Sequence, residues 1–316
     1  MSSFHSANTG PQHEGRSIFV SAPDGLRLHV REYGAATAPG MPVVCLPGLT
    51  RTTADFDDLA PPLAASKPSR RVIALDSRGR GRSAYDPNPK NYTPAVELTD
   101  LLAVLNVINI SRAVFVGSSR GGILTMLLAA VRPVMISGVV LHDIGPLIET
   151  KGVARIKSYV GKLRQPQNLE DGAEILHGLF AAQFPKLTGA DWLGMAQRAW
   201  KVESGKLIPT YDPALAETLA DFDMEHPLPP LWNEFDALAG VPILVIRGAN
   251  SDILSTATVR AMRARHPDLE SIEVPDQGHV PLLDDPDLIN LVAAFVNSCD
   301  EKRYGIAKPG QLFTPR

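Results

Sequence analysis

The stretch Gly117-Ser118-Ser119-Arg120-Gly121 sets a serine pair between glycines, directly after the apolar run AVFV and directly before GILTMLLAAV. A strand that turns at once into a helix holds its middle residue in a strained backbone conformation, tolerated only where the residues two positions away lack side chains. Ser119 meets that condition through Gly117 and Gly121, whereas Ser118 has Val116 and Arg120 at the same offsets. The spacing therefore selects Ser119 as a nucleophile, lifted to a helix N-terminus whose N–H groups favour developing negative charge. A serine hydroxyl attacks poorly at neutral pH, so it needs a base, and the base needs an orienting acid. Among the eight histidines, His279 follows the short strand-like run LESIEVP in the loop DQGHVPLLDDP, which makes it the expected base. For the acid, Asp252 in the loop VIRGANSD is the first choice, and Asp143, directly after SGVVLH, is the alternative.

Acyl transfer also requires donors for an oxyanion, commonly the largest single term in such catalysis. The backbone N–H of Arg120 follows the nucleophile directly, and the N–H of Leu49 in LPGLTRT is the expected second donor, with Gly48 letting the chain turn inward. Substrate contacts are expected from Arg51, Tyr159 and Trp192, with Arg51 and Arg120 as side chains able to accept a carboxylate. Aromatic residues of the middle region otherwise serve as packing, since core aromatics outnumber those that face a ligand.

These residues must be positioned by a scaffold, and the apolar runs describe one. SIFVSAPDGLRLHVREYG reads as two strands around Asp24-Gly25, a dipeptide suited to the φ > 0 turn of a hairpin. The β-branched runs at 42–48, 71–76, 113–117, 137–143 and 241–248 suit strands buried on both faces. Between two of them, TPAVELTDLLAVLNVIN reads as a helix with Thr93 as N-cap and Pro94 in the first turn. The expected fold is α/β: a mostly parallel, doubly wound sheet with helices on both faces and an antiparallel edge. Strand-helix alternation stops after residue 145, where helical patterns run to about Pro230 with no convincing strand. Residues 146–230 are therefore expected to form a helical cap inserted after the sixth strand, with 1–145 and 231–316 forming the core. The tail EKRYGIAKPGQLFTPR is expected to be peripheral.

Composition narrows the function classes. A chain of 316 residues with 21% charged residues and a net charge of −3 suggests neither a polyanion nor a membrane surface as partner, leaving a small molecule as the expected one. Cys45 and Cys299 form neither a disulfide framework nor a metal-ligand spacing. The opening residues lack the pattern of a secretory signal, so a cytoplasmic location is expected. The arginines of DSRGRGRS are broken up by glycines and flanked by aspartates, which predicts an ordered loop paired with acids rather than a nucleic-acid site.

Taken together the motifs resemble the α/β-hydrolase fold family over nearly the whole chain. LPGLT resembles its oxyanion loop, GSSRGG its nucleophile elbow, RGANSDILS its acid loop and DQGHVPLLDDP its histidine loop. The resemblance implies a cap over the carboxyl edge of the sheet, no cofactor and no metal. It also marks two departures: Pro47 stands where the family commonly has a histidine, and Arg120 where methionine or leucine is common. The activity implied is hydrolysis of an ester, lactone or similar acyl compound. Carbon-carbon bond hydrolysis of a ring-cleavage dienoic ketoacid and a non-catalytic ligand receptor are the alternatives. Epoxide and haloalkane chemistry is disfavoured, because those relatives carry aspartate where Ser119 stands.

Overall fold

The computed structural model describes residues 15–223, 225 and 227–304. His5, His13 and His226, together with tail residues 305–316, lie outside the described residues.

The chain opens with β1 (Arg16–Ser21) and β2 (Arg27–Tyr33), an antiparallel pair whose turn carries Gly25 at φ +88°. Then follow β3 (Val43–Leu46), α1 (Ala60–Ala65), β4 (Val72–Asp76), α2 (Pro94–Val107), β5 (Ala113–Ser118), α3 (Arg120–Val131) and β6 (Ile136–His142). The next segment contains α4 (Thr150–Tyr159), α5 (Leu169–Phe180), α6 (Gly189–Ala199), β7 (Trp200–Glu203), β8 (Lys206–Pro209) and α7 (Trp232–Asp236). β9 (Ile243–Gly248), α8 (Thr256–Arg265), β10 (Glu270–Val274) and α9 (Pro286–Tyr304) complete the described order.

Eight strands form one sheet in the order β1-β2-β4-β3-β5-β6-β9-β10. β2 runs antiparallel to both β1 and β4, and the strands from β4 to β10 are mutually parallel. β5 alternates strictly between faces: Ala113 and Phe115 join one apolar layer with α2 and α3, while Val114 and Val116 join the opposite layer with α9. Burial on both faces is what makes such strands read as continuous apolar runs. α2 begins as its sequence predicts, with Thr93 Oγ1 accepting from the Val96 N–H and Pro94 in the first turn.

The inserted region is helical for the most part, but it also contains a strand pair. β7 and β8 form an antiparallel hairpin through Ser204 and Gly205, both with positive φ (+50° and +74°). The Ser-Gly dipeptide between KVE and KLIP is the local signal for this hairpin. The expectation of a strand-free insertion overlooked it because each arm is only four residues long. Leu176, Phe184, Trp192, Met195, Ala196, Trp200 and Leu207 form the insertion's own apolar cluster. No helix among the described residues is long and apolar enough to cross a membrane.

Candidate active site

Ser119 sits between β5 and α3 at φ +48°, ψ −111°, a region that side chains rarely occupy. The two glycines make the turn possible for separate reasons. A Cβ on Gly121 would lie 2.0 Å from the Leu46 carbonyl oxygen of β3, and one on Gly117 would lie 2.6 Å from the Gly122 backbone. The elbow is thus wedged against the neighbouring strand and against its own helix.

His279 lies in the loop after β10 and joins the sheet's carboxyl edge from the far side. Its Nε2 is 2.8 Å from Ser119 Oγ, and its Nδ1 is 2.7 Å from Asp143 Oδ2. A carboxylate only accepts, so Nδ1 carries the proton and donates to Asp143. Nε2 is then left to accept the Ser119 hydroxyl proton. Asp143 is fully buried and follows β6, the strand beside β5. It turns at φ +54°, and its carboxylate also accepts from the Gly248 N–H at 2.8 Å and the Ser251 hydroxyl at 2.6 Å. Three donors therefore hold the acid in one orientation.

The first-choice acid is corrected by this geometry. Asp252 does not contact His279 by hydrogen bond; it is claimed by Arg155 of α4, which donates from Nε and Nη2 to both carboxylate oxygens at 2.6 and 2.8 Å. Burial alone would raise the Asp252 pKa, but the Arg155 guanidinium outweighs it and holds the carboxyl below its ordinary range. Asp252 is a strut between the inserted region and the loop after β9.

The residues expected to donate to an oxyanion lie on either side of the serine. Arg120 is the first residue of α3, where a backbone N–H has no partner within the helix. Gly48 packs against the nucleophile, since a Cβ there would be 3.6 Å from Ser119 Cβ, and Leu49 follows it along the cavity wall. A buried ion triad ties Leu49 and Arg120 together. Arg80 donates from Nε to the Leu49 carbonyl at 2.7 Å and from Nη1 to Glu97 Oε1 at 2.8 Å, while Arg120 Nε donates to Glu97 Oε2 at 2.8 Å. Burial pushes the Glu97 carboxyl up, yet the charges of Arg80 and Arg120 prevail and keep it below its ordinary value. The Arg120 side chain is therefore occupied away from substrate, which accounts for a cation at that position. Arg78 of DSRGRGRS also meets acids, bonding Asp24, Asp86 and Asp100, whereas the Arg82 side chain donates to the Ser17 hydroxyl and only its backbone N–H reaches Asp76.

A cavity of about 130 Å³ opens above Ser119 and His279. Its walls are mostly apolar, and the insertion supplies much of that apolar lining, including Ile156, Leu163, Phe180 and Met195. Arg51 and Tyr159 border it as expected from the sequence, and burial pushes the Tyr159 phenol above its ordinary pKa. Trp192 does not border it. It packs inside the insertion, edge-on to His177 and Phe184 at 5.3 and 6.4 Å, because its helical face points toward the cap core rather than the sheet.

Ser118, set aside above as nucleophile, and His142, which sequence reasoning passed over, complete the floor. Ser118 Oγ lies 2.6 Å from His142 Nδ1, a cross-strand pair directly before the nucleophile and the acid. The Ser119 N–H donates to the His142 carbonyl at 3.0 Å, so the same residues align the two turns through the backbone. Burial lowers the His142 pKa to about 4, leaving the ring neutral near pH 7. The available signal was the position of each residue as the last in its strand.

Residues 43–290 match the alpha/beta hydrolase family. The chain is 33% identical over 287 residues to the 3-hydroxybutyrate-oligomer hydrolase of Cupriavidus necator, covering 87% of this chain and 94% of that one. It is 25% identical to the 2-(acetamidomethylene)succinate hydrolase of Mesorhizobium japonicum over 80% of this chain and 85% of that one. Among solved structures, an alpha/beta hydrolase from Novosphingobium aromaticivorans superposes with a TM-score of 0.82 at 38% identity, covering 90% of this chain and 98% of that chain. With these matches extending over sheet, elbow and inserted helices, the chain belongs to the alpha/beta hydrolase family.

Proposed function

We propose that this protein is a serine hydrolase that cleaves a carboxylic ester through an acyl-enzyme intermediate. The observation that carries the reading is the unbroken line of hydrogen bonds from Ser119 through His279 to Asp143. Ser119 Oγ attacks the ester carbonyl carbon as its proton passes to His279 Nε2. The carbonyl oxygen takes the negative charge and is met by the Leu49 and Arg120 N–H groups. The carbon-oxygen bond to the alcohol then breaks, and His279 returns the proton to the departing alkoxide. Water repeats the sequence: His279 takes its proton, the hydroxyl adds to the acyl carbon, and Ser119 leaves with the proton restored. Asp143 keeps the imidazole in the required tautomer and stabilises the imidazolium formed in each half-reaction.

Two further facts fit this reading. The cavity wall is apolar beside the nucleophile, suited to a hydrocarbon acyl or alcohol portion. The relative from Cupriavidus necator is named for hydrolysis of an oligomer of a hydroxy acid, whose linkages are esters. Replacing Ser119 by alanine is expected to lower kcat on nitrophenyl acetate by roughly 10³-fold or more. Retention of more than a few per cent of the wild-type rate would rule out Ser119 as nucleophile.

A further inference from the structure

The apolar cavity has one charged end, where Arg51, Asp55 and Arg198 meet. Arg51 donates from Nε and Nη2 to the two Asp55 oxygens at 2.6 and 2.7 Å. Arg198, in the last turn of α6, brings its Nε only to 3.9 Å from Asp55 Oδ1, beyond hydrogen-bond reach. One carboxylate thus faces two guanidiniums and is already engaged by the first. Arg198 is the member of this cluster whose donor fork is least committed. Both arginine side chains are only about a quarter exposed, 25% and 23%, so water does not fully solvate them. Asp58 and Asp284 also border the cavity, and burial pushes the Asp284 carboxyl above its ordinary range against the pull of the Arg198 charge.

The cluster flanks the reacting centre. A Cβ on Gly48 would lie 3.2 Å from Arg51 Cγ and 3.6 Å from Ser119 Cβ, so the Arg51 stem and the nucleophile share the same glycine turn. An anionic group of a bound ester would therefore meet the guanidiniums while its carbonyl is at Ser119. A planar guanidinium pairs with a carboxylate through two parallel N–H···O bonds, which gives direction as well as attraction.

We infer that Arg198, backed by the Arg51–Asp55 pair, forms a carboxylate subsite, and that the substrates are short acyclic esters bearing a free carboxylate close to the scissile bond, as in a hydroxy-acid oligomer. This rests on the Ser119 ester-hydrolase reading and adds the end group that the cavity selects. In a linear dimer of that kind, the carboxylate belongs to the alcohol portion, and hydrolysis releases two hydroxy acids.

The test compares the linear 3-hydroxybutyrate dimer with the same dimer capped as a primary amide, which keeps the size and removes the charge. Wild-type enzyme is expected to prefer the free acid at least tenfold in kcat/KM, with the difference in KM. Arg198→Gln is expected to cut that acid-to-amide ratio by about tenfold, and Arg198→Lys to restore part of it. Equal use of the two dimers by the wild type, a preference for the amide, or an unchanged ratio in Arg198→Gln overturns the subsite. Failure of the ester-hydrolase reading is distinguishable: wild-type enzyme would then hydrolyse neither dimer nor nitrophenyl acetate, whereas a wrong subsite leaves both dimers cleaved with no preference between them.

Discussion

Asp143 and Asp252 show how neighbours decide the role of a carboxylate. Both follow parallel strands, β6 and β9, and both stand between Ser119 and His279 in the chain. Asp143 points its Oδ2 at His279, while Asp252 is spent on Arg155. The sequence made both candidates legible but ranked Asp252 ahead of Asp143, because Arg155 lies 97 residues away and reaches Asp252 only once the cap has docked. Asp143→Asn is expected to lower kcat by roughly 10³- to 10⁴-fold, since an amide no longer fixes the Nδ1–H tautomer. Asp252→Asn is expected to lower it less than tenfold, so steady-state rates of the two variants separate the roles. His142 supplies a pH signature. Its folded pKa of about 4 lies below the ordinary 6.5, so the unfolded chain takes up the proton first. Stability therefore falls as pH drops from about 6.5 and this loss levels off below about 4, on the order of 3 kcal/mol in all. Urea midpoints measured across that window are expected to fall less steeply in His142→Gln.

At the scale of elements, the elbow was legible in full because its constraints are local: strand, glycine, serine, glycine and helix are contiguous in the chain. Gly121→Ala is expected to be destabilised by at least roughly 3 kcal/mol in chemical denaturation, because the added methyl meets the Leu46 carbonyl of β3 and neither backbone can yield easily. The Arg80–Glu97–Arg120 triad was not legible. It joins the loop after β4, helix α2 and helix α3, and nothing in the spacing of those residues announces a shared carboxylate. It bonds Leu49 and Arg120, the residues proposed to meet the oxyanion, rather than the serine. Glu97→Gln is expected to lower kcat by roughly 10- to 100-fold with KM changed little, because the donors drift from their positions without altering the cavity wall. An equal rise in KM would instead mark the triad as part of substrate binding.

The whole molecule follows from one ordering of strands. β5 has β3 on one flank and β6 on the other, which brings the Gly48–Leu49 loop and Asp143 to either side of Ser119. The mostly parallel sheet and the inserted region could be read from buried apolar runs and from the point where alternation stopped. The β7–β8 hairpin and the inward packing of Trp192 could not, since each depends on how the cap closes on itself. The most direct test of the assembled site is reaction with a fluorophosphonate followed by peptide mapping. The account predicts a single adduct on Ser119, formed at least roughly 10³-fold more slowly in His279→Ala; an adduct on another residue, or equal rates in the two proteins, would contradict it.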